Sequence, residues 1–133
     1  MGALQKQYGA SGFRVLGFPC NQFLYQEPDA NSKIAAFAAQ YGNFSMFAKS
    51  DVNSACTTKD PDTACAAASK DCCSRNNAVY PLLKSVLPGR ITWNFNKFLV
   101  GKDGVPVKRY GTTDYADKMQ GDIEKLLGGI VLQ

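Results

Sequence analysis

Histidine is missing from this chain altogether. Its absence excludes Ser–His–Asp triads, Cys–His proteases, HExxH metalloenzymes and most catalytic zinc sites. Long apolar runs are missing too, and nothing approaches the roughly 18 residues that a membrane span requires. Charge of one sign is scarce: 15 Lys+Arg against 11 Asp+Glu leave a formal net charge of +4, with no basic run of four. A nucleic-acid partner is therefore not expected. The opening Met1-Gly2-Ala3-Leu4-Gln5-Lys6 lacks the charged-then-apolar layout of a signal peptide, and Lys6 stands where a myristoylation signal wants Ser or Thr. That start predicts a cytoplasmic or organellar protein, or one whose leader has been removed.

What is present describes one soluble domain over residues 1–133, 45% hydrophobic and 20% charged. A chain of this length buries roughly two thirds of the surface it exposes when unfolded. Leu4 to Ser11 reads as the end of a helix stopped by Gly12. Phe13-Arg14-Val15-Leu16-Gly17-Phe18, apolar on both faces, predicts a buried central strand ended by Pro19. Pro19 to Pro28 is a loop. Asn31 offers an N-cap to a helix carrying Ile34, Phe37, Ala38 and Tyr41. Phe44 to Val52 has strand character. Tyr80 to Leu87 predicts a short helix with Pro81 in its first turn, closed by Pro88-Gly89. Thr92 to Val100 and Val105 to Tyr110 predict a hairpin around Gly101-Lys102-Asp103-Gly104. Tyr115, Met119, Ile123, Leu126 and Leu127 make one face of a last helix. The order is that of an α/β layer fold with a mixed sheet. A parallel sheet normally holds a strand on each side of its central one, so the sheet reads as incomplete at an edge that a partner could pair.

Five cysteines are the candidate nucleophiles and soft ligands. Cys20 follows the predicted central strand. Cys56, Cys65, Cys72 and Cys73 crowd a stretch from about 53 to 77 that has no large apolar residue and reads as a surface insertion. Their spacing gives no CxxC knuckle, so no metal site is expected. A loop without an apolar core points to covalent staples. A bond between the adjacent Cys72 and Cys73 is strained. This leaves Cys56–Cys72 with Cys65–Cys73, or Cys56–Cys73 with Cys65–Cys72. Such disulfides imply an oxidising lumen, and reduced thiols a cytosolic loop.

Two segments carry a resemblance. Gly17-Phe18-Pro19-Cys20-Asn21-Gln22-Phe23 with Gln26-Glu27-Pro28 is similar to the strand-end signature of the glutathione peroxidases. Trp93-Asn94-Phe95-Asn96-Lys97-Phe98-Leu99-Val100 resembles their second signature, in the right order. Lys49-Ser50-Asp51-Val52-Asn53 and Val107-Lys108-Arg109-Tyr110 fit the same family. The resemblance implies a thioredoxin-like fold of mixed sheet and flanking helices. It also implies thiol-dependent reduction of hydroperoxides, with glutathione or thioredoxin as reductant and no bound cofactor. In that chemistry a thiolate or selenolate attacks the peroxide O–O bond and other thiols regenerate it. The family's neutral donors, a Gln, a Trp indole and an Asn, map onto Gln26, Trp93 and Asn94, which need no imidazole beside them.

By the same resemblance the peroxidatic Cys or Sec lies upstream of the helix that ends at Ser11. The chain is accordingly expected to be an N-terminally truncated member, inactive by itself. Cys20 is a weak substitute, since a small, partly buried residue is the ordinary role of a lone Cys there. Ala38 occupies the place of the family's resolving cysteine, and the short loop from Leu87 to Trp93 resembles the smaller, monomeric members. Two readings follow. One is a working peroxidase whose opening segment lies outside these residues. The other is a non-catalytic, peroxidase-like subunit of a larger assembly.

Overall fold

The computed structural model describes residues 1–53, 77–130 and 132. Helix α1 (Gly2–Tyr8) runs into a 3-10 turn, Gly9–Ser11, and stops at Gly12, whose φ of 99° favours glycine. The helix stop predicted from sequence is therefore where the chain turns. Strand β1 (Leu16–Gly17) pairs in parallel with β2 (Ser45–Met46), Leu16 opposite Ser45 and Gly17 opposite Met46. A side chain at Gly17 would run into the Met46 thioether, which would have to shift to admit it.

The buried central strand expected over Phe13–Phe18 is not what forms. Among the described residues the strand has two residues and one neighbour, and Leu16 is 52% exposed. An apolar pattern on both faces shows which residues could be buried, but burial itself needs a covering element on each face. The strand expected over Phe44–Val52 likewise shortens to Ser45–Met46. Helix α2 (Asn31–Ala39) corrects the expected cap. Its N-cap is Ala30, and the Asn31 side chain instead accepts the Lys49 backbone N–H at 2.9 Å. Ile34 is buried, while Phe37 and Tyr41 pack on each other at the surface.

Helix α3 (Val79–Val86) buries Leu83 and ends before Gly89, where φ is 110°. The expected hairpin forms from β3 (Lys97–Val100) and β4 (Pro106–Tyr110), antiparallel, with Lys97 opposite Tyr110 and an irregularity at Leu99/Val100. Its turn is closed by Gly101 N–H donating to the Val105 carbonyl at 2.8 Å and Val105 N–H to Asp103 Oδ1 at 3.0 Å. Residues 92–96, expected within the first of these strands, form a turn instead. Helix α4 (Ala116–Leu127) ends at Gly128-Gly129.

One apolar core joins Leu4 of α1, Leu99 and Tyr110 of the hairpin, and Met119 and Ile123 of α4. A line of rings links the two ladders. Phe47 stacks on Phe18 at 4.5 Å, Tyr80 sets its edge to Phe18 at 5.6 Å, and Tyr80 meets Phe98 at 6.3 Å. Backbone bonding between Asn77 N–H and the Asp51 carbonyl at 3.1 Å brings the two ends of the intervening segment together. Cys56, Cys65, Cys72 and Cys73 lie outside the described residues, so the predicted pairings are not addressed. Asn53, placed in the insertion by sequence, belongs to the body of the domain and is 2% exposed.

Candidate functional site

Two loops meet beyond the ends of the short strands. The first, residues 18–30, follows β1; the second, residues 91–96, precedes β3. Neither has a ladder to hold it, so side chains satisfy its backbone groups. In the first loop Asn21 Oδ1 accepts the Glu27 N–H at 2.9 Å, and Lys49 Nζ donates to the carbonyls of Glu27 and Asp29, both at 2.8 Å. In the second, Asn96 Nδ2 donates to the Trp93 carbonyl at 2.9 Å, and Thr112 Oγ1 donates to the Asn94 carbonyl at 2.7 Å. The Arg109 guanidinium lies over the Phe98 ring and donates to the carbonyls of Gly89 and Arg90 at 2.8 and 2.7 Å.

Three of the residues singled out by sequence come together here. Asn94 Nδ2 donates to Gln26 Oε1 at 2.7 Å across 68 residues of chain. Trp93 adjoins Asn94, and its ring lies 5.9 Å from that of Phe23 in the first loop. Among the described residues, neither the Gln26 Nε2 amide nor the Trp93 indole N–H donates to another protein group. The site thus places two neutral donors, Gln26 and Trp93, on loops that an exposed Asn–Gln bond joins. Neutral donors suit a developing anion, because they stabilise it without a proton transfer.

Cys20 is placed differently. Its Sγ accepts the Gln22 N–H at 3.4 Å and lies 3.5 Å from Gln22 Oε1, and among the described residues no hydrogen bond joins it to Gln26, Trp93 or Asn94. The Tyr80 phenol is pushed up to about 12, mainly by burial and secondarily by the charge a Cys20 thiolate would carry.

Two residues with no role assigned from sequence sit at the centre of this region. Gln22 Oε1 accepts the N–H groups of Val52 and Asn53, both at 2.9 Å, and Gln22 Nε2 donates to the Asn53 carbonyl at 2.7 Å. Asn53 reaches on to the second loop: Nδ2 donates to the Ile91 carbonyl at 2.7 Å, and Oδ1 accepts Ile91 N–H at 3.0 Å and Lys84 Nζ at 2.9 Å. Both lie inside the quoted sequence matches, but an amide in a loop motif carries no local sign of its distant partners.

The rim of the site is apolar. Leu24, Tyr25 and Phe95 hold left-handed φ values of 54°, 54° and 58°, and they are the non-glycine residues with positive φ among those described. Each such residue costs about 1 kcal/mol or more, and strain of this kind gathers at ligand sites. All three present large apolar side chains to solvent.

Known proteins share this arrangement of sequence and fold. The family model described as glutathione peroxidase matches residues 1–60. The phospholipid hydroperoxide glutathione peroxidase 1, chloroplastic, of Arabidopsis thaliana is 40% identical over 93% of this chain and 47% of its own length. The hydroperoxy fatty acid reductase gpx1 of Synechocystis is 41% identical over 94% of this chain and 70% of its own. Among solved structures, T. cruzi GPX1 matches with a TM-score of 0.62 and 28% identity, over 95% of this chain and 67% of that one. The chain spans about half the length of the Arabidopsis relative, and the mixed α/β architecture is thioredoxin-like. With the two signature loops brought together in one site, and with this identity to the Synechocystis protein over most of both chains, the chain belongs to the glutathione peroxidase family.

Proposed function

We propose that this chain supplies the donor half of a thiol-dependent hydroperoxide reductase. The observation that carries the reading is the Asn94–Gln26 bond, which joins two remote loops and puts Gln26 and Trp93, the neighbour of Asn94, in one site, neither the Gln26 Nε2 amide nor the Trp93 indole N–H donating to another protein group among the described residues. The attacking Cys or Sec would lie upstream of α1, as in the family. Its chalcogenolate attacks the distal peroxide oxygen, the O–O bond breaks, and the alkoxide leaves with a proton as alcohol. The chalcogen is then a sulfenic or selenenic acid, which two reductant thiols return to the starting state with loss of water. Gln26, Trp93 and Asn94 act by stabilising the anionic chalcogen before attack. The apolar rim of Leu24, Tyr25 and Phe95 favours a hydroperoxide with a hydrocarbon body. The names of the Arabidopsis and Synechocystis relatives, which specify phospholipid and fatty-acid hydroperoxides, agree with that choice.

The test begins with the transcript, which must encode a strand ending in Cys or Sec ahead of Met1. In the protein carrying that segment, Trp93→Phe or Asn94→Ala lowers kcat/KM for a fatty-acid hydroperoxide by about 10²-fold or more, the scale of one lost donor. Turnover that survives both substitutions would sink the assignment. Cys20→Ala leaves turnover unchanged, because Cys20 bonds Gln22 rather than the donor set.

A second reading, a non-catalytic subunit, draws on β1. Its ladder is occupied on one side among the described residues, and Leu16 is exposed beside it. Such an edge can take a partner's strand. If residues 1–133 purify as a soluble monomer that unfolds cooperatively, an obligate partner is ruled out.

A further inference from the structure

We propose that Gln22 and Asn53 are positioning residues that set the relation between the two site loops, with Asn53 the joint and Gln22 its anchor in the first loop. The inference rests on reading Gln26, Trp93 and Asn94 as one donor set. Each of those groups sits in an exposed loop, and among the described residues the single direct hydrogen bond between the loops is Asn94 to Gln26 at the surface. A water-exposed amide pair is too weak to define a geometry by itself. Beneath it lies a buried alternative. Asn53 makes a two-way bond with the backbone of Ile91, two residues before Trp93, and Ile91 is itself buried. Through its own backbone N–H and carbonyl, Asn53 is held by the Gln22 amide, four residues before Gln26.

The chain of contacts is continuous: first loop, Gln22, Asn53, Ile91, second loop. Every polar atom of the Asn53 side chain is engaged, and Lys84 Nζ adds a charge-assisted bond to Oδ1. Substitution leaves Ile91 N–H and C=O buried without partners, a state the loop escapes by moving outward. Because Gln22 also holds the Val52 N–H, losing its amide frees the same joint from the other side.

The sole tryptophan of the chain is Trp93, so its fluorescence reports the second loop directly and independently of turnover. Trp93 is 39% exposed, which leaves room for a roughly twofold rise in acrylamide quenching once its loop is released. In the full chain, Asn53→Ala is expected to give that rise together with a red-shifted emission, at temperatures well below unfolding. Gln22→Met, which keeps the length of the side chain at a half-buried position and removes its amide, is expected to move both readouts in the same direction. The comparison variant is Ile123→Val, which thins the distant core and is expected to lower Tm without moving either readout. The proposal is overturned if Gln22→Met leaves Trp93 unchanged, or if Ile123→Val moves it as far. Should the donor reading fail, with turnover indifferent to Trp93 and Asn94, the fluorescence result still decides whether the joint exists.

Discussion

Two regions of this domain are held by different physics. From α1 across the hairpin to α4, apolar side chains do the work: Leu4, Leu99, Tyr110, Met119 and Ile123 form one core, with Ile123 only 1% exposed. Around the β1–β2 ladder and the two loops, the ladder is two residues long and several large rings are exposed. There the backbone is held mainly by Asn, Gln, Lys, Arg and Thr side chains bonded to carbonyls and N–H groups. Apolar packing is non-directional and tolerates small shifts. Hydrogen bonds fix angles and distances, so a site that must aim donors at one point gains more from them. Apolar packing holds the first region, and side-chain hydrogen bonds hold the loops that carry Gln26, Trp93 and Asn94.

The strongest test of this division strikes the core. Ile123→Ala is expected to cost about 3–4 kcal/mol in urea unfolding, from lost burial and the cavity left behind. Below the transition it leaves Trp93 emission where it was. A loss of stability confined to the loops, with the far-ultraviolet transition unmoved, would break the comparison.

The next test strikes the joint. Asn53→Ala is expected to cost about 1–3 kcal/mol, the penalty for leaving buried backbone groups without partners. Its signature is the opposite of the core variant's: hydrogen exchange at residues 90–96 speeds up beyond what the global loss explains. Uniform acceleration across α4 and the hairpin would show that both regions unfold as one.

These two residues also show what sequence could and could not disclose. The stop at Gly12, the Asp103-Gly104 turn and the stripe of Met119 and Ile123 were legible because each depends on neighbours within a few residues. The two signature segments named Gln26, Trp93 and Asn94 by resemblance. What the pattern missed was set at long range. Residues 92–96 read as strand, yet they form a turn held by Thr112 and Arg109 from 18 and 13 positions away, with Asn53 holding Ile91 just before it from 38. Asn31 had the composition of a cap and was claimed by Lys49. An apolar hexapeptide at Phe13–Phe18 could not reveal that Leu16 would face solvent.

A smaller effect separates the regions by acid. The Asp122 carboxyl is held below the ordinary carboxylate range, first by the Lys108 ammonium and then by the Tyr110 hydroxyl, each at 2.6 Å. A depressed folded value contributes stability that is present above the unfolded value of about 3.9 and lost as pH falls through the folded one. Asp122→Asn is expected to cost about 1 kcal/mol at pH 7 and to flatten the fall in Tm below about pH 4. An unchanged acid limb would show that this pair contributes nothing to the core.

The smallest effect at neutral pH, and the sharpest in location, comes from the ring line between the regions. Tyr80 packs between Phe18 and Phe98, and its phenol is raised to about 12, by burial first and by the Cys20 charge second. Tyr110 is also raised, by burial first and then by its bond to Asp122. For both, the folded value lies above the unfolded one of about 10, so the stability they carry is fully present below pH 10 and lost as pH climbs beyond it. Tyr80→Phe keeps the ring contacts and removes one ionisation, and is expected to leave the urea midpoint unchanged at pH 7. Between about pH 10 and 12 it should fall less steeply than the parent protein, with the remaining slope due to Tyr110. Because the Cys20 charge contributes to the rise at Tyr80 and not at Tyr110, Cys20→Ala lowers the Tyr80 titration measured by phenolate absorbance, while Tyr110 stays put. Equal movement of both phenols would mean that the seam and the core share one environment, and the division between the two halves would fall.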